Sequence, residues 1–546
     1  MNIRKIVGVV LIASVVFAGC SSNKSNNSTT ADGEPSPGQQ STESVQVDRF
    51  RMPEPVEINV IKSVYPGMTF KEGDTIEKNE YTRYVFDKTN IQTKVLWYAS
   101  NTDYDQKMQL SIASNDIPDM MVVNYKTFRA MAAADQLEDL TKVYEQYVSP
   151  EIRKFYESTD NKVLEMSTYG GKLLALPSVG IQADAPSMLW IRQDWLNKLG
   201  LQPPKNIEEL KTVLRAFIDK DPDGNGKPDT VGLTGNSTTL SAEVNGLHDF
   251  KGIFNAFNSY PLYWVQDESG NTVYGSTTPG TKQALGTLRE MYAEGLIDKE
   301  FALRKNPDEL IAAGKSGTMF GPWWTPWVLT GSVKNDKNAD WQAYMIADEK
   351  GKINISSLPA AQSYVVVKKG YKHPEAAVVY ANMYDEVSHT PDEAGKKLIV
   401  GDALWPLQLI TDYPEAATNK HLLLLDALAG KIEPDKLDGE MKLVYEQALR
   451  DKENPRANPD DWAAPQAYLV GAGVLKQEMN KIEPVYFGTT PTMERRWANL
   501  LKLENETFFK IVMGSLDVDA FDKFVEDWKA EGGNTILNEI GEELKK

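Results

Sequence analysis

Three apolar segments near the start of the folded part of the chain alternate with helical segments. "PVEINVIKS" (55–63), "IQTKVLWYAS" (91–100) and "DMMVVN" (119–124) have the apolar patterns that are typical of strands. Between them, residues 78–88 and 103–114 predict helices with short links on either side. Strands that alternate with helices predict a parallel sheet with right-handed crossovers, so this pattern favours an α/β fold.

The ends of these predicted strands offer a place for a ligand. In open α/β sheets, ligands bind beyond the carboxyl ends of the strands. The second strand brings Trp97 and Tyr98 toward that edge, and the third strand ends at Asn124 and Tyr125. The aromatic residues of "LWYAS" are equally compatible with a place in the core.

The N-terminal segment predicts export and a lipid anchor. Arg4 and Lys5 precede a run of apolar and small residues from 6 to 19, which is too short to span a membrane but suits a signal peptide. Cys20 follows this run in a context that resembles a bacterial lipobox, and it is the only cysteine. We therefore expect residues 1–19 to be a signal peptide and Cys20 to be lipidated. The polar, Ser- and Asn-rich residues 20–48 predict a flexible tether, so the body would work at the extracellular face of the cytoplasmic membrane.

The composition argues against several classes of function. The formal net charge is −18, which opposes nucleic acid or anionic lipid as a ligand. Only four histidines are present, without the spacing of a paired zinc site, and one cysteine cannot form an internal disulfide. Neither zinc chemistry nor a Ser-His-Asp arrangement is therefore supported.

The loop "DPDGNGKPDT" (221–230) concentrates oxygen ligands at alternate positions. Calcium prefers six to eight oxygens, and loops of this type supply them from positions 1, 3 and 5, a carbonyl at 7, and position 9. Asp221, Asp223, Asn225, the carbonyl of Lys227 and Asp229 fit these positions. The match to an EF-hand ends there, because position 12 is Gly232. The alternative is a solvated turn, since Asp, Asn, Pro and Gly favour turns for local reasons.

Several further segments carry a resemblance to a known family. They are "SNDIPDMMVV", "YGGKLLALP", "LWIRQDWLNKLGL", "AAGKSGTMFGPWW", "HPEAAVVYANMY" and "LENETFFKIVMG". In this order they resemble the motifs of the extracellular solute-binding lipoproteins of ABC importers, in the oligosaccharide-binding branch of Gram-positive bacteria. Each segment alone is a weak match, whereas their order and coverage of residues 50–546 are specific.

The resemblance implies a two-lobe, periplasmic-binding-protein-like α/β fold with a hinge and a ligand cleft between the lobes. We expect residues 49–168 and 335–405 to form the first lobe, and residues 169–334 and 406–546 to form the second. It also implies that the loop at 221–230 binds structural calcium away from the sugar. Thr230 stands where the family often has a further acid, so Thr230 is an additional candidate ligand.

A saccharide site needs flat aromatic rings beside fixed polar groups. The segment "GPWWTPW" provides Trp323, Trp324 and Trp327, which are our first candidates, and its prolines would restrain the loop. Each of these rings is also compatible with a core position. The further candidates for ligand binding are Tyr260, Trp264, Asn124, Tyr125 and Trp405.

The expected function is a membrane-anchored receptor that captures an oligosaccharide and delivers it to the permease subunits of an ABC importer, without catalysis. The alternatives are an importer receptor for peptides, a secreted carbohydrate-active enzyme and a rigid adhesion module. An enzyme would need a pair of positioned carboxylates. A chain with 77 acidic residues does not reveal such a pair.

Overall fold

The computed structural model describes residues 47–64, 70–179, 185–240, 246–357, 359, 361, 363–398 and 403–545. The predicted signal peptide, Cys20 and nearly all of the predicted tether lie outside these residues. The strands in chain order are β1 Val56–Val64, β2 Ile91–Ser100, β3 Met120–Asn124, β4 Thr168–Tyr169, β5 Lys172–Leu173, β6 Ala175–Pro177, β7 Met188–Arg192, β8 Trp264–Gln266, β9 Thr272–Tyr274, β10 Thr318–Gly321, β11 Trp341–Tyr344, β12 Asn354–Ser356, β13 Ser363–Val367 and β14 Asn480–Ile482.

The helices account for most of the remaining regular structure. The first half of the chain contains α1 Glu80–Thr89, α2 Asn101–Ala113, α3 Tyr125–Ala133, α4 Thr141–Tyr147, α5 Pro150–Glu157, α6 Lys162–Met166, α7 Gln193–Leu199, α8 Ile207–Asp219, α9 Lys251–Ala256 and α10 Pro279–Glu294. The second half contains α11 Asp308–Ala312, α12 Thr330–Asn335, α13 Glu375–His389, α14 Ala416–Leu428, α15 Gly439–Glu453, α16 Pro459–Gln466, α17 Ala472–Val474, α18 Pro491–Val512, α19 Ala520–Trp528 and α20 Asn534–Glu543.

The predicted alternation of strands and helices from β1 to β3 is confirmed. Asn79 caps α1 by accepting hydrogen bonds from the backbone N–H groups of Tyr81 and Thr82, which explains why the helix begins there. β1 and β2 pair in parallel, as expected. β13 runs antiparallel to both β3 and β6, however, so the first lobe is not built on parallel strands alone. β13 reaches this lobe from the other one, and its direction is set by that return path.

Separate hydrophobic cores define the two lobes. One core contains residues from Met52 to Val179 and from Ala361 to Leu409. Two adjoining clusters hold the second lobe together, one around α8, α10 and α18 to α20, the other around β7, β10 and α14 to α17. The chain therefore passes between the lobes after Val179, after Ser357 and after Leu409.

Strand pairing places two strands in a different lobe from the one that the sequence suggested. β6 lies in the first lobe because it pairs with β13, whereas residues 169–177 were expected in the second lobe. β11 lies in the second lobe because it pairs with the fully buried strand β7. Strand pairing decides both placements, and the sequence does not reveal the partner strand.

Candidate functional site

A cavity of about 390 Å³ lies between the two lobes. Its volume falls in the range of ligand pockets, about 300 to 1,000 Å³. The first lobe contributes the carboxyl end of β3 and the start of α3, where Asn124 and Tyr125 had been predicted. The second lobe contributes the turn before β8 and a segment between β14 and α18. The lining side chains include Asn124, Tyr125, Lys126, Met166, Leu262, Tyr263, Trp264, Pro484, Tyr486, Phe487, Thr489 and Trp497.

The first-lobe wall is fixed by the start of α3. The side-chain oxygen of Asn124 accepts a hydrogen bond of 2.9 Å from the backbone N–H of Thr127, so this side chain caps the helix. Tyr125 packs against Tyr364, with ring centroids 5.7 Å apart. Burial raises the pKa of Tyr125. Asn124, Tyr125 and Lys126 all contribute to the lining on this side of the cavity.

The second-lobe wall is an array of aromatic rings. Trp264 packs against Tyr274 at 4.8 Å and against Trp497 at 5.7 Å between ring centroids. Trp264 is only 5 % exposed, and Trp497 is half-buried. The backbone N–H of Val485 donates to the carbonyl of Trp264, which ties the segment before α18 to β8. The indole of Trp497 is thus held in the wall while part of it remains accessible.

The two walls already touch at one point. The rings of Tyr125 in the first lobe and Phe487 in the second meet edge to face, with centroids 6.4 Å apart. Beside them, the hydroxyl of Tyr486 donates a hydrogen bond of 2.7 Å to Glu543. The cavity is therefore bounded on one side by an aromatic contact between the lobes.

The tryptophan loop lies outside the lining of this cavity. Trp323 is 3 % exposed and packs against Tyr468, with ring centroids 5.1 Å apart. Trp324 is half-buried against the same cluster of the second lobe. Trp327 is 42 % exposed and meets Trp323 edge to face. The structure does not bring these three residues together with Asn124, Tyr125 and Trp264.

The other predicted ligand-binding residues also lie outside the lining of this cavity. Trp405 is fully buried in the first lobe, where Tyr81, Tyr84 and Tyr384 surround its ring. Tyr260 is buried in a small cluster with Tyr263 and Val265, next to the cavity but not in its lining. Trp97 and Tyr98 do not line the cavity either.

Sequence analysis missed Trp497 and Phe487. Trp497 stands in the charged helical stretch "ERRWANLL", where one aromatic residue among polar neighbours was the available signal. Phe487 follows Tyr486 in a short segment without a motif. Both residues lie far along the chain from Trp264, so their proximity to it could not be inferred from spacing.

A larger cavity of about 950 Å³ lies within the second lobe. Its lining is mostly charged and amide side chains, with Phe257 as the one aromatic ring among the residues described there. It contacts α8, α10 and the turn at 347–351, all from the same lobe. We favour the smaller cavity as the ligand site because both lobes line it and it is rich in aromatic rings.

The loop at 221–230 is folded around its own oxygens. The backbone N–H of Gly226 donates to Asp221 at 2.9 Å, and the amide of Asn225 donates to Asp229 at 3.0 Å. Burial and the neighbouring carboxylate of Asp221 raise the pKa of Asp223. The hydrogen bond from Asn225 and the ion pair with Lys315 lower the pKa of Asp229.

Two buried oxygens in this loop are available to bind a cation. Oδ1 of Asp221 and Oγ1 of Thr230 are buried and have no hydrogen-bond partner among the described residues. Carboxylate, amide and hydroxyl oxygens are the ligands that calcium prefers. Across the described ranges, however, no three His, Cys, Asp or Glu side chains are grouped as a metal site. A cation would therefore also need Asn225, the Lys227 carbonyl and Thr230.

A two-lobe fold with an aromatic cavity between the lobes is suited to enclosing a ligand. The family of bacterial extracellular solute-binding proteins matches residues 72–384, and this chain belongs to it. In the described part of the chain, helices with the length and apolar character of a membrane span are absent.

Three curated relatives are similar in sequence. Lipoprotein LipO of Bacillus subtilis is 28% identical over 42% of this chain and 44% of LipO. The fructooligosaccharide ABC transporter substrate-binding protein FusA of Streptococcus pneumoniae is 28% identical over 42% of this chain and 43% of FusA. The chain thus spans less than half the length of these two. YtcQ of Bacillus subtilis, a polygalacturonan/rhamnogalacturonan-binding protein, is 22% identical over 84% of this chain and 86% of YtcQ.

Solved structures share the fold. FusA in complex with kestose has a TM-score of 0.60 and 18% identity, covering 90% of this chain and 99% of that one. The alginate-binding protein AlgQ2, solved without calcium ion, has a TM-score of 0.58 and 17% identity. The match covers 91% of this chain and 99% of AlgQ2. An EF-hand mutant of FusA has also been solved, with fructo-nystose, at a TM-score of 0.58 and 17% identity over 88% and 97%.

Proposed function

We propose that this protein is a membrane-anchored receptor that captures an oligosaccharide between its lobes and delivers it to the permease subunits of an ABC importer. The observation that carries the proposal is the cavity between the lobes, where Trp264 and Trp497 face Asn124 and Tyr125. FusA and YtcQ, which are named for oligosaccharide and polysaccharide ligands, support the same class of ligand.

The chemistry of the cavity suits a sugar. The C–H face of a pyranose or furanose ring packs on indole or phenol, while its hydroxyls need fixed hydrogen-bonding groups. Trp497 and Tyr125 supply ring faces on opposite walls, and the amide of Asn124 and the ammonium of Lys126 supply polar contacts. Since the two walls belong to different lobes, one ligand would bridge them and stabilise the closed state.

The test is titration calorimetry with a neutral trisaccharide, 1-kestose, and an acidic one, trigalacturonate, with a tripeptide of mixed sequence as a third probe. We expect one of the two sugars to bind, with a decrease in the radius of gyration by small-angle scattering. Each sugar is recovered after incubation and analysed for cleavage. Binding of the tripeptide alone would favour a peptide receptor, and sugar turnover would favour an enzyme.

We also propose that the loop at 221–230 holds a structural calcium ion, with Asp221, Asp223, Asn225, Asp229, Thr230 and the Lys227 carbonyl as ligands. The solved structures of calcium-free AlgQ2 and of the FusA EF-hand mutant support a calcium site in related proteins. In this chain the loop lies between α8 and residues 231–233, which form bridges to residues 297 and 316. The ion would therefore stabilise the second lobe without touching the ligand.

Chelation is expected to lower the melting temperature modestly. With about 1 mM calcium and a dissociation constant of about 0.1 mM, the ion would stabilise the fold by about 1.4 kcal/mol. Asp223→Ala should reproduce the effect of the chelator and show no further response to it. The control is Asp267→Ala, because Asp267 accepts backbone N–H bonds in a similar exposed turn. A full chelator response in Asp223→Ala would show that the loop is only a turn.

The anchor is proposed to be a lipid on Cys20. Cys20→Ala should release the protein from membranes and leave the precursor uncleaved. Fractionation of bacteria that express either form, together with labelling by a palmitate analogue, measures this. Membrane retention with normal labelling in the Ala variant would contradict the proposal.

A further inference from the structure

Glu504 is a buried acid that the proposed function does not use. It lies in α18, is 2 % exposed and, among the described residues, has no cationic side chain paired with it. Its two oxygens accept hydrogen bonds from the hydroxyl of Tyr274 at 2.8 Å and from that of Ser276 at 2.7 Å. A buried carboxyl without a cation is costly, so its presence here needs an explanation.

The hydrogen bond to Ser276 continues to the cavity wall. Oγ of Ser276 also accepts a hydrogen bond of 2.8 Å from the backbone N–H of Leu262, which lines the cavity. Ser276 is fully buried, so water does not compete for its hydroxyl. Glu504 therefore fixes the direction of the Ser276 hydroxyl and leaves its oxygen free to accept from Leu262.

Leu262 needs such support because its backbone is strained. Its φ is 69°, in the left-handed region that a branched side chain rarely adopts. Strained residues persist only where the surrounding structure holds them, and they cluster at ligand sites. The turn is also tied to Gly275, whose N–H donates to the carbonyl of Tyr263. A Cβ at Gly275 would lie 2.0 Å from the carbonyl oxygen of Tyr260, so the two segments approach as closely as glycine allows.

The second hydrogen bond supports the aromatic wall. Tyr274 is opposite Trp264 in the β8–β9 hairpin, and their rings pack with centroids 4.8 Å apart. The bond from the Tyr274 hydroxyl to Glu504 fixes the ring of Tyr274 against α18. Glu504 is 2 % exposed, and this burial raises its pKa to about 7.

We infer that Glu504 is a positioning residue, which holds the strained Leu262 turn and the Trp264 ring in the geometry of the ligand site. It does so through Ser276 on one side and Tyr274 on the other. It does not touch the ligand. The expected loss of ligand affinity in Glu504 variants rests on the proposed function. The expected loosening of the Leu262 turn does not.

The test compares four variants by hydrogen exchange and by affinity. Glu504→Met removes both acceptors, and Ser276→Ala removes only the hydroxyl between Glu504 and Leu262. Glu504→Gln keeps one acceptor oxygen in a side chain of nearly the same shape, so it should preserve the geometry of the turn. Glu506→Gln is the control, because Glu506 lies on the same helix with its side chain about half exposed. Mass spectrometry follows exchange in peptides that cover 258–278.

We expect at least tenfold faster exchange at the amide of Leu262 in Glu504→Met and Ser276→Ala. Affinity for 1-kestose or trigalacturonate, whichever binds the parent, should fall at least tenfold in both. Glu504→Gln and Glu506→Gln should stay within threefold of the parent on both measures.

If Glu504→Met does not fold, Ser276→Ala decides alone. Parental exchange and affinity in Ser276→Ala would overturn the inference, and so would equal losses in Glu504→Gln and Glu504→Met. If neither sugar binds the parent, the proposed function fails. The hydrogen-exchange data then decide by themselves whether Glu504 holds the Leu262 turn.

Discussion

Replacing Trp497 with Ala is expected to weaken binding of the captured sugar about thirtyfold. Truncating an aromatic anchor in a partly enclosed site commonly costs about 2 kcal/mol. At about 1.4 kcal/mol per decade, that corresponds to roughly thirtyfold in the dissociation constant. Tyr125→Ala on the opposite wall should have a comparable effect. Trp264 is less suited to this test because it is almost fully buried, and truncating a core tryptophan costs about 3–5 kcal/mol of stability.

The comparison variant is Trp327→Ala. Trp327 is 42 % exposed and does not line the cavity, so its loss should leave affinity unchanged. Titration calorimetry of the three variants, with melting temperatures measured without ligand, separates binding from stability. The reverse result, with affinity lost in Trp327→Ala and kept in Trp497→Ala, would move the site to the tryptophan loop.

Lys420→Met is expected to lower the free energy of unfolding by about 3 kcal/mol. The ammonium of Lys420 lies 2.9 Å from Asp412 and 2.8 Å from Glu440, and its side chain is 10 % exposed. Burial alone would lower the pKa of this lysine, but the two carboxylates outweigh burial and raise it. Removing the cation leaves Asp412 buried and unpaired, which typically costs about 3–5 kcal/mol. We take the lower end because the side chain of Glu440 is 43 % exposed.

Two controls make this prediction specific. Lys431→Met removes an exposed lysine paired with Asp426 at 2.9 Å, just after the same helix, and should cost less than about 1 kcal/mol. The double variant Lys420→Met with Asp412→Asn should recover part of the loss, because the neutral amide of Asn leaves no unpaired buried charge at position 412. Urea unfolding measures all three. A loss in Lys420→Met no larger than in Lys431→Met would show that the buried cluster contributes little.

The sequence predicts the first lobe well because its signals are local. The periodicity of residues 55–124 depends only on neighbouring side chains, and β1, α1, β2, α2 and β3 lie where it places them. The direction of β13 depends on how the chain returns from the other lobe, which no local pattern records. The pairing of β6 and β11 could not be predicted for the same reason, since their partner strands lie elsewhere in the chain.

The lining of the cavity between the lobes is predicted only in part. Asn124, Tyr125 and Trp264 line the cavity, and the first two follow from the general position of ligands at strand ends. Tryptophan is favoured in a core as well as on a sugar site, so composition could not separate Trp323 and Trp405 from Trp497. Trp497 meets Trp264 only because α18 packs beside the β8–β9 hairpin, which is a tertiary contact.

The contact between Tyr125 and Phe487 would compete with a ligand for the same ring surfaces. Both rings line the cavity and belong to different lobes, so a sugar that inserts between them must first separate them. The energy of that contact would be subtracted from the affinity of any ligand that separates the two rings. A ligand that covers both rings recovers the loss, whereas one too short to reach both walls does not. The contact would therefore favour ligands that are long enough to reach both walls.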